Sequence, residues 1–513
     1  MDSLNLSVPQ QHDYTDPTVE RDEARLRDWL SDLPLMDVVE TVRLVHSALD
    51  ALNEQKLDHA PRFRFLEVYR NTVMRLFVTL DPLHLRQLSL SKTQRREAVK
   101  GLAGLFLSMA GGYKLIVMQL YRSTASGKPA PELFGLAINR ALEQLGYALL
   151  DSYRFYRALQ PFMIAEAHQL YRLARHHGLL ESSVQAADDS TVPLNTAMLY
   201  HAIMLLSLTD PFRLAEGEVS LLFDVLLQHA GECRIIPGNQ WADSGAGLFL
   251  VDLQADALPE ACTGLKSPAQ AREPYLLDAR RALANVRKRL ASTPAKVRMQ
   301  SPEAMLLQRL LPEDHDSVSR REQRFPDGRQ AELLLGLESI HHQLMAETAA
   351  QRQQAVACPA DSQDLAVVSC RVLDSSKGGM KLVCEGAGAG DTRVGDLLAI
   401  QEGEAGSRTL LLAVIRSLQV QSEGGMEIGV QAMPGGLGPV FCSSPDDHEQ
   451  AVHALFMPAN EAEGTGATLI LAKGFYEAGR HLLIDVGGRE VSARAGRLVV
   501  DSPAFDRFEF SAE

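Results

Sequence analysis

Two short stretches hold residue types that could bind a small anionic ligand. In Arg320-Arg321-Glu322-Gln323-Arg324, arginines stand at i, i+1 and i+4, and Arg329 follows after Asp327-Gly328. Guanidinium suits phosphate because its planar fork donates two parallel hydrogen bonds, and the same plane stacks on flat bases. The second stretch is Asp374-Ser375-Ser376-Lys377-Gly378-Gly379. A carboxylate and a hydroxyl two positions apart present acceptor and donor to one edge of a base. Guanine offers N1–H and N2–H on such an edge, which a carboxylate such as Asp374 accepts as a pair. The glycines permit positive φ and a close approach of backbone to ligand. Taken singly, the first stretch also reads as a solvated basic linker and the second as an ordinary hairpin turn.

The elements that must position these residues change character once along the chain. Residues 1–19 are polar and read as a disordered tail. From 20 to 311 apolar residues recur at helical spacing, as in Val38, Val42, Val45, Leu49 and Leu52, so this stretch is expected to be an α-helical domain. Within it, Cys233 to Pro237 and Gly247 to Leu253 read as a small β-hairpin insertion near 233–253, with helix returning from Tyr275. Residues 312–328 form an arginine-rich linker. Short apolar runs separated by Gly-bearing turns follow, which predicts an antiparallel β-barrel over 329–440 and a β-rich C-terminal extension over 445–513. The expected fold class is therefore multidomain. A helical N-terminal domain precedes one barrel and a further small β-rich region.

Composition limits the functions available. The chain has 513 residues, enough for two to four domains, and a formal charge of -14. A general duplex DNA-binding protein needs a broad basic surface, so that class is excluded, while a small anion needs only a local cluster. No signal peptide or clean apolar span of membrane length stands out, and a cytoplasmic location is expected. The six cysteines, at 233, 262, 358, 370, 384 and 442, are far apart and read as reduced thiols. His341-His342 has no full ligand set around it, so no metal is expected. No nucleophile elbow, zinc-protease motif or cyclic-nucleotide synthase or phosphodiesterase motif is present, and the chain reads as a binding protein rather than an enzyme, without a cofactor.

Together the two stretches resemble the PilZ family of cyclic di-GMP receptors, whose signature pairs RxxxR with D/N-x-S-x-x-G. Arg320 and Arg324 fill the first motif, with Arg321 as an extra arginine; Asp374, Ser376 and Gly379 fill the second. Val414-Ile415-Arg416 and Glu427-Ile428-Gly429-Val430 resemble the family's late hairpin, and the likeness spans about 319–434. It implies that the arginines clasp phosphates and guanines while Asp374 and Ser376 fix a guanine. Fifty positions separate Arg324 from Asp374, longer than the family pattern, and Glu338 to Gln354 reads as an inserted helix and loop.

The resemblance implies a receptor that relays cyclic di-GMP level to a protein partner through the helical domain, with a motility, pilus or biofilm-type output. A constitutive scaffold whose PilZ-like domain no longer binds nucleotide is the competing expectation. A titration with cyclic di-GMP separates the two.

Overall fold

The computed structural model describes residues 4–13, 16, 19–124, 131–183, 193–238, 246–262, 274–298, 301–311, 323–351, 367–385, 392–402, 409–421, 425–444, 447–461 and 464–513. The chain divides into two compact units, Met1–Pro211 with Glu216–Asp316 and Ser317–Glu513 with Phe212–Ala215.

The first unit opens with helices α1 (Glu23–Ser31), α2 (Val38–Glu54), α3 (His59–Thr79), α4 (Pro82–Leu85), α5 (Lys92–Thr124), α6 (Glu132–Arg154), α7 (Met163–His176), α8 (Thr196–Leu208) and α9 (Glu218–His229). Aspartates start several of them. Asp22 accepts from the Ala24 and Arg25 N–H groups and Asp37 from that of Glu40, filling donors that a helix start leaves open. Helix α5 buries Leu102, Leu105, Phe106, Met109, Tyr113 and Ile116 along one face and Leu115 on the opposite one. By length and composition α5 could cross a membrane, but 67% of its apolar window is buried inside the unit, as expected of a central core helix. Buried Arg62 donates to the Leu52 and Gln55 carbonyls at 3.2 and 2.6 Å, satisfying the C-terminal end of α2.

A largely buried charge network ties α3 to α6. Arg140 pairs with Glu67 at 2.9 Å and Glu143 at 3.0 Å, and Arg70 pairs with Glu143 at 2.6 Å. Burial would raise the Glu143 pKa, but the two guanidiniums bring it below the usual carboxylate range. The stretch expected to be a disordered tail is in part packed. Leu6 is buried, the Ser7 N–H donates to Glu166 at 2.5 Å and the His12 N–H to the Glu54 carbonyl at 2.7 Å. Isolated apolar residues such as Leu6 give no periodic signal, which is why sequence reading left them out.

The expected two-stranded hairpin near 233–253 is instead part of a four-stranded sheet. Strands β1 (Arg234–Pro237), β2 (Leu248–Asp252), β3 (Glu260–Ala261) and β4 (Pro274–Asp278) run in the order β1-β4-β2-β3, so β1 and β2 never pair. Tyr275-Leu276-Leu277, read as the start of a helix, is the central strand; a short apolar run does not reveal its period. Asp256 beside this sheet accepts from the Phe162 and Ala165 N–H groups at 2.8 and 2.9 Å and so closes the first turn of α7. Helices α10 (Arg280–Ser292), α11 (Ala295–Arg298) and α12 (Pro302–Leu310) complete the unit.

The second unit contains two barrels. The first is built from β6 (Gln330–Leu335), β7 (Val367–Ser376), β8 (Gly379–Cys384), β9 (Leu397–Glu402), β10 (Thr409–Val420) and β11 (Met426–Ala432), with a two-residue strand β5 (Phe325–Pro326) beside β7. The order is β5-β7-β6-β9-β10-β11-β8, and pairing of β7 with β8 closes it. Helix α13 (Leu337–Gln351) fills the place where an inserted helix was expected. The second barrel is β12 (Gly438–Ser444), β13 (Asp447–Met457), β14 (Thr468–Ala472), β15 (His481–Asp485), β16 (Glu490–Asp501) and β17 (Phe505–Ala512), closed in the order β12-β13-β14-β17-β16-β15.

These barrels are not independent. Leu334, Ile340, Leu344, Leu412 and Val414 share one buried cluster with Leu455, Met457, Ile470 and Phe505. His341, 1% exposed, lies 3.1 Å by Nε2 from the Val440 carbonyl, and the Ser502 hydroxyl donates to the Gly395 carbonyl at 2.5 Å. The expectation of reduced thiols is corrected at one pair: Cys370 and Cys384 form a disulfide across β7 and β8. Cys233, Cys262 and Cys442 are free and buried, and Cys358 lies outside the described residues.

Candidate functional site

The β7–β8 hairpin organises the site. Its turn is Lys377-Gly378, flanked by the paired residues Ser376 and Gly379, and the Ser376 hydroxyl donates to the Gly379 carbonyl at 3.3 Å. A Cβ on Gly379 would stand 2.1 Å from the Val430 carbonyl oxygen of the neighbouring strand. This glycine therefore serves strand approach rather than the positive φ expected of it. A register shift between Val372 and Asp374 marks a bulge one residue before the acid; such bulges bend a strand and re-aim its side chains.

Strand β5 brings Arg324 to this hairpin. Phe325 pairs with Ser375 and Pro326 with Asp374, and the Asp327 N–H donates to the Leu373 carbonyl at 2.9 Å. Proline suits a short edge strand because it has no N–H to offer a further neighbour. The consequence is a direct contact between the two motifs. Arg324 Nη1 lies 2.5 Å from Asp374 Oδ1, with each side chain 29% exposed. Fifty residues apart in sequence, they form one cluster. Arg320 and Arg321 lie outside the described residues.

Asp327 is a positioning residue that sequence reading missed. Its carboxylate accepts from the Gly328 and Arg329 N–H groups at 2.8 and 3.2 Å and from the Ser375 hydroxyl at 3.1 Å. The Arg329 N–H is the main reason its pKa lies below the usual carboxylate range. This Asx-type turn redirects the chain from β5 into β6 and fastens it to β7. The signal was present as Asp327-Gly328, a common turn pair. Arg329 lies 3.2 Å from Asp327 and 3.7 Å from the Met380 sulfur, so its contacts differ from those of Arg324.

The arrangement presents one carboxylate, one guanidinium and one hydroxyl at the end of a rigid hairpin, with the exposed ring of Phe325 beside them, 60% exposed. That chemistry fits a planar ligand carrying both phosphate and amide-like donors. It offers no nucleophile paired with a base. Among the described residues, no group of three or more His, Cys, Asp or Glu is placed to hold a metal ion.

Comparison with known proteins bears on the flanks of this hairpin. A family model described as the N-terminal domain of the cyclic-di-GMP receptor FimW matches residues 24–239. A second, the FimW C-terminal beta-barrel domain, matches residues 442–512, and between them the two cover over half of the chain. The chain belongs to the FimW family of cyclic-di-GMP receptors. The cyclic-di-GMP receptor FimW of Pseudomonas aeruginosa is 24% identical over 583 aligned positions, which take in 100% of this chain and 94% of that protein. The FimW N-terminal match runs from α1 through β1, and the C-terminal match takes in most of the second barrel. The hairpin with Asp374 lies between the matched stretches, where the resemblance to PilZ receptors was found.

Proposed function

We propose that this chain is a receptor for cyclic di-GMP rather than an enzyme, and that the ligand binds at the junction of the arginine run with the β7–β8 hairpin. The observation that carries this reading is the Arg324–Asp374 contact, which joins the two motifs at one point. The name of the Pseudomonas aeruginosa relative supports the choice of ligand. Arg324 uses Nη1 on Asp374, and a guanidinium has five N–H donors in all. Phosphate is thus met by Arg324 together with Arg320 and Arg321. Asp374 accepts the N1–H and N2–H of a guanine, and Ser376 completes that edge. Gly379 keeps the turn low enough for the base to approach.

The same geometry suggests the relay. Arg320 and Arg321 stand, in sequence, at the start of Ser317–Glu513, the main stretch of the second unit. Ligand phosphates give that segment contacts specific to the bound state, and differential contact is what shifts a conformational equilibrium. The helical unit then carries the message to a protein partner.

Calorimetric titration of the full chain with cyclic di-GMP at micromolar concentration tests the reading. Saturable binding is expected, together with slower hydrogen exchange over residues 318–325. Absence of binding would leave the constitutive scaffold as the better account.

A further inference from the structure

Cyclic di-GMP has two guanines, and the Arg324–Asp374–Ser376 cluster addresses one of them. The strand register shows what lies beside it. Ser376 pairs with Gly379, and Gly379 pairs with Gln431 on β11, so these residues form a row across three strands. With strands about 4.8 Å apart, the row spans roughly 10 Å. Gly379 contributes no side chain, and its buried backbone packs against Val430 of β11.

At the far end stands Arg416. It is the extra residue of a bulge in β10, where the register with β11 shifts between Ile415 and Ser417. The bulge matters because its neighbours Val414 and Ile415 are both buried, while Arg416 is exposed. Its Nε donates to the Gln431 side-chain oxygen at 2.8 Å, which fixes the guanidinium beside the row. Lys381, directly opposite Asp374 in the next row, pairs with Glu427 at 2.7 Å.

We propose that Arg416 and Gln431 form the second half of the nucleotide site. The flat guanidinium of Arg416 stacks on the second guanine, and the Gln431 carboxamide N–H donates to that base's carbonyl oxygen. Stacking uses the face of the cation and leaves its hydrogen bond to Gln431 in place. The inference rests on the cyclic di-GMP reading above and adds two residues outside both sequence motifs.

The test is calorimetric titration of cyclic di-GMP into the full chain and its Arg416→Ala, Arg416→Lys, Gln431→Ala and Arg324→Ala variants. Melting temperatures confirm that each variant is folded. Arg416→Ala should weaken binding about 5- to 150-fold, the range for a base losing its stacking partner. Arg416→Lys should lose nearly as much, because lysine keeps the charge but not the plane, and Gln431→Ala should lose less. If Arg416→Ala binds like the unmodified chain while Arg324→Ala is weakened, the second half-site is wrong and the receptor reading survives. If Arg416→Lys binds like the unmodified chain, the residue acts only as a charge and the stacking proposal is overturned. If the unmodified chain does not bind at all, the receptor reading itself fails.

Discussion

The second unit contains the same architecture twice, and the two copies differ in what they present to solvent. Both barrels close with six strands. In the C-terminal barrel the named exposed cations are met by carboxylates of the same barrel. Arg497 pairs with Glu509 at 2.9 Å, Arg494 with Glu513 at 3.1 Å, and Lys473 with Asp506 at 2.8 Å. In the first barrel Arg324 comes from outside the closed strands, on the segment that leads into them, and meets Asp374 close to the Lys377-Gly378 turn. Barrel closure is thus a solution to the problem of exposed strand edges. The proposed ligand chemistry rests on a short turn and an added arm.

The largest expected difference between the copies is covalent. The Cys370–Cys384 bond closes a loop with a sequence separation of 14 inside the first barrel, whereas Cys442 of the second is free. A loop of about 15 residues is worth roughly 3 kcal/mol in the chain-entropy account. Reduction should therefore speed hydrogen exchange in β7–β8 by about 100-fold and leave β15–β16 nearly unchanged. Equal protection of β7–β8 before and after reduction would mean that barrel packing alone holds the hairpin.

Next comes the ligand. Arg324→Ala and Asp374→Ala should each weaken cyclic di-GMP binding about 10- to 100-fold, since a hydrogen bond to a charged group contributes roughly 1.5–3 kcal/mol. Asp374→Ala should alter the salt dependence less than Arg324→Ala, because it meets a base rather than a phosphate. Affinities at two ionic strengths check both statements.

A smaller effect should appear at the joint that the barrels share. Burial, followed by repulsion from His453, lowers the His341 pKa from 6.5 to about 4. His342 and Glu338 also face this group of rings. A histidine with a depressed folded pKa stabilises the fold fully above the unfolded value of about 6.5, and that stability is lost as pH falls toward 4. Between pH 7.5 and 5.5 the loss should be about 1 kcal/mol. Thermal melts across this window should show a shallower decline for His341→Gln than for the unmodified chain. Parallel declines would remove His341 from the account.

Helical spacing, alternating strands and the paired motifs made much of this legible in the sequence. Register was not. A two-residue turn at Lys377-Gly378, continued without interruption, would place Cys370 opposite Glu385. The bulge between Val372 and Asp374 moves the pairing by one and sets Cys370 opposite Cys384, so the disulfide depended on a feature with no sequence signature. Arg416 stood in a stretch that resembles the family's late hairpin, but the β10 bulge that sets it outside the regular register had no such signature. The core that the two barrels share had no local signal, because it joins residues more than one hundred positions apart, such as Leu334 and Leu455. The family resemblance implied that Arg324 and Asp374 serve one ligand, whereas their direct contact and the fastening role of Asp327 emerged only from the bonds around them.

The smallest expected effects test the comparison most directly. Arg497→Ala removes a 63% exposed side chain and its pair with Glu509 from the second barrel. Exposed ion pairs contribute about 0.2–1 kcal/mol, so the melting temperature should move little and cyclic di-GMP affinity should not change. Arg329→Ala removes a cation close to the first barrel's turn but bonded to Asp327 rather than Asp374. It too should leave affinity within about twofold, near the 0.5 kcal/mol expected of a surface change. Both substitutions lower the basic charge by one, as Arg324→Ala does, so charge alone predicts three similar results. The site geometry predicts a loss for Arg324→Ala and almost none for the other two. If Arg329→Ala weakens binding as much as Arg324→Ala, the arginine segment is a general anion trap. If Arg497→Ala does so, the second barrel also takes part in ligand binding, and the contrast between the two copies fails.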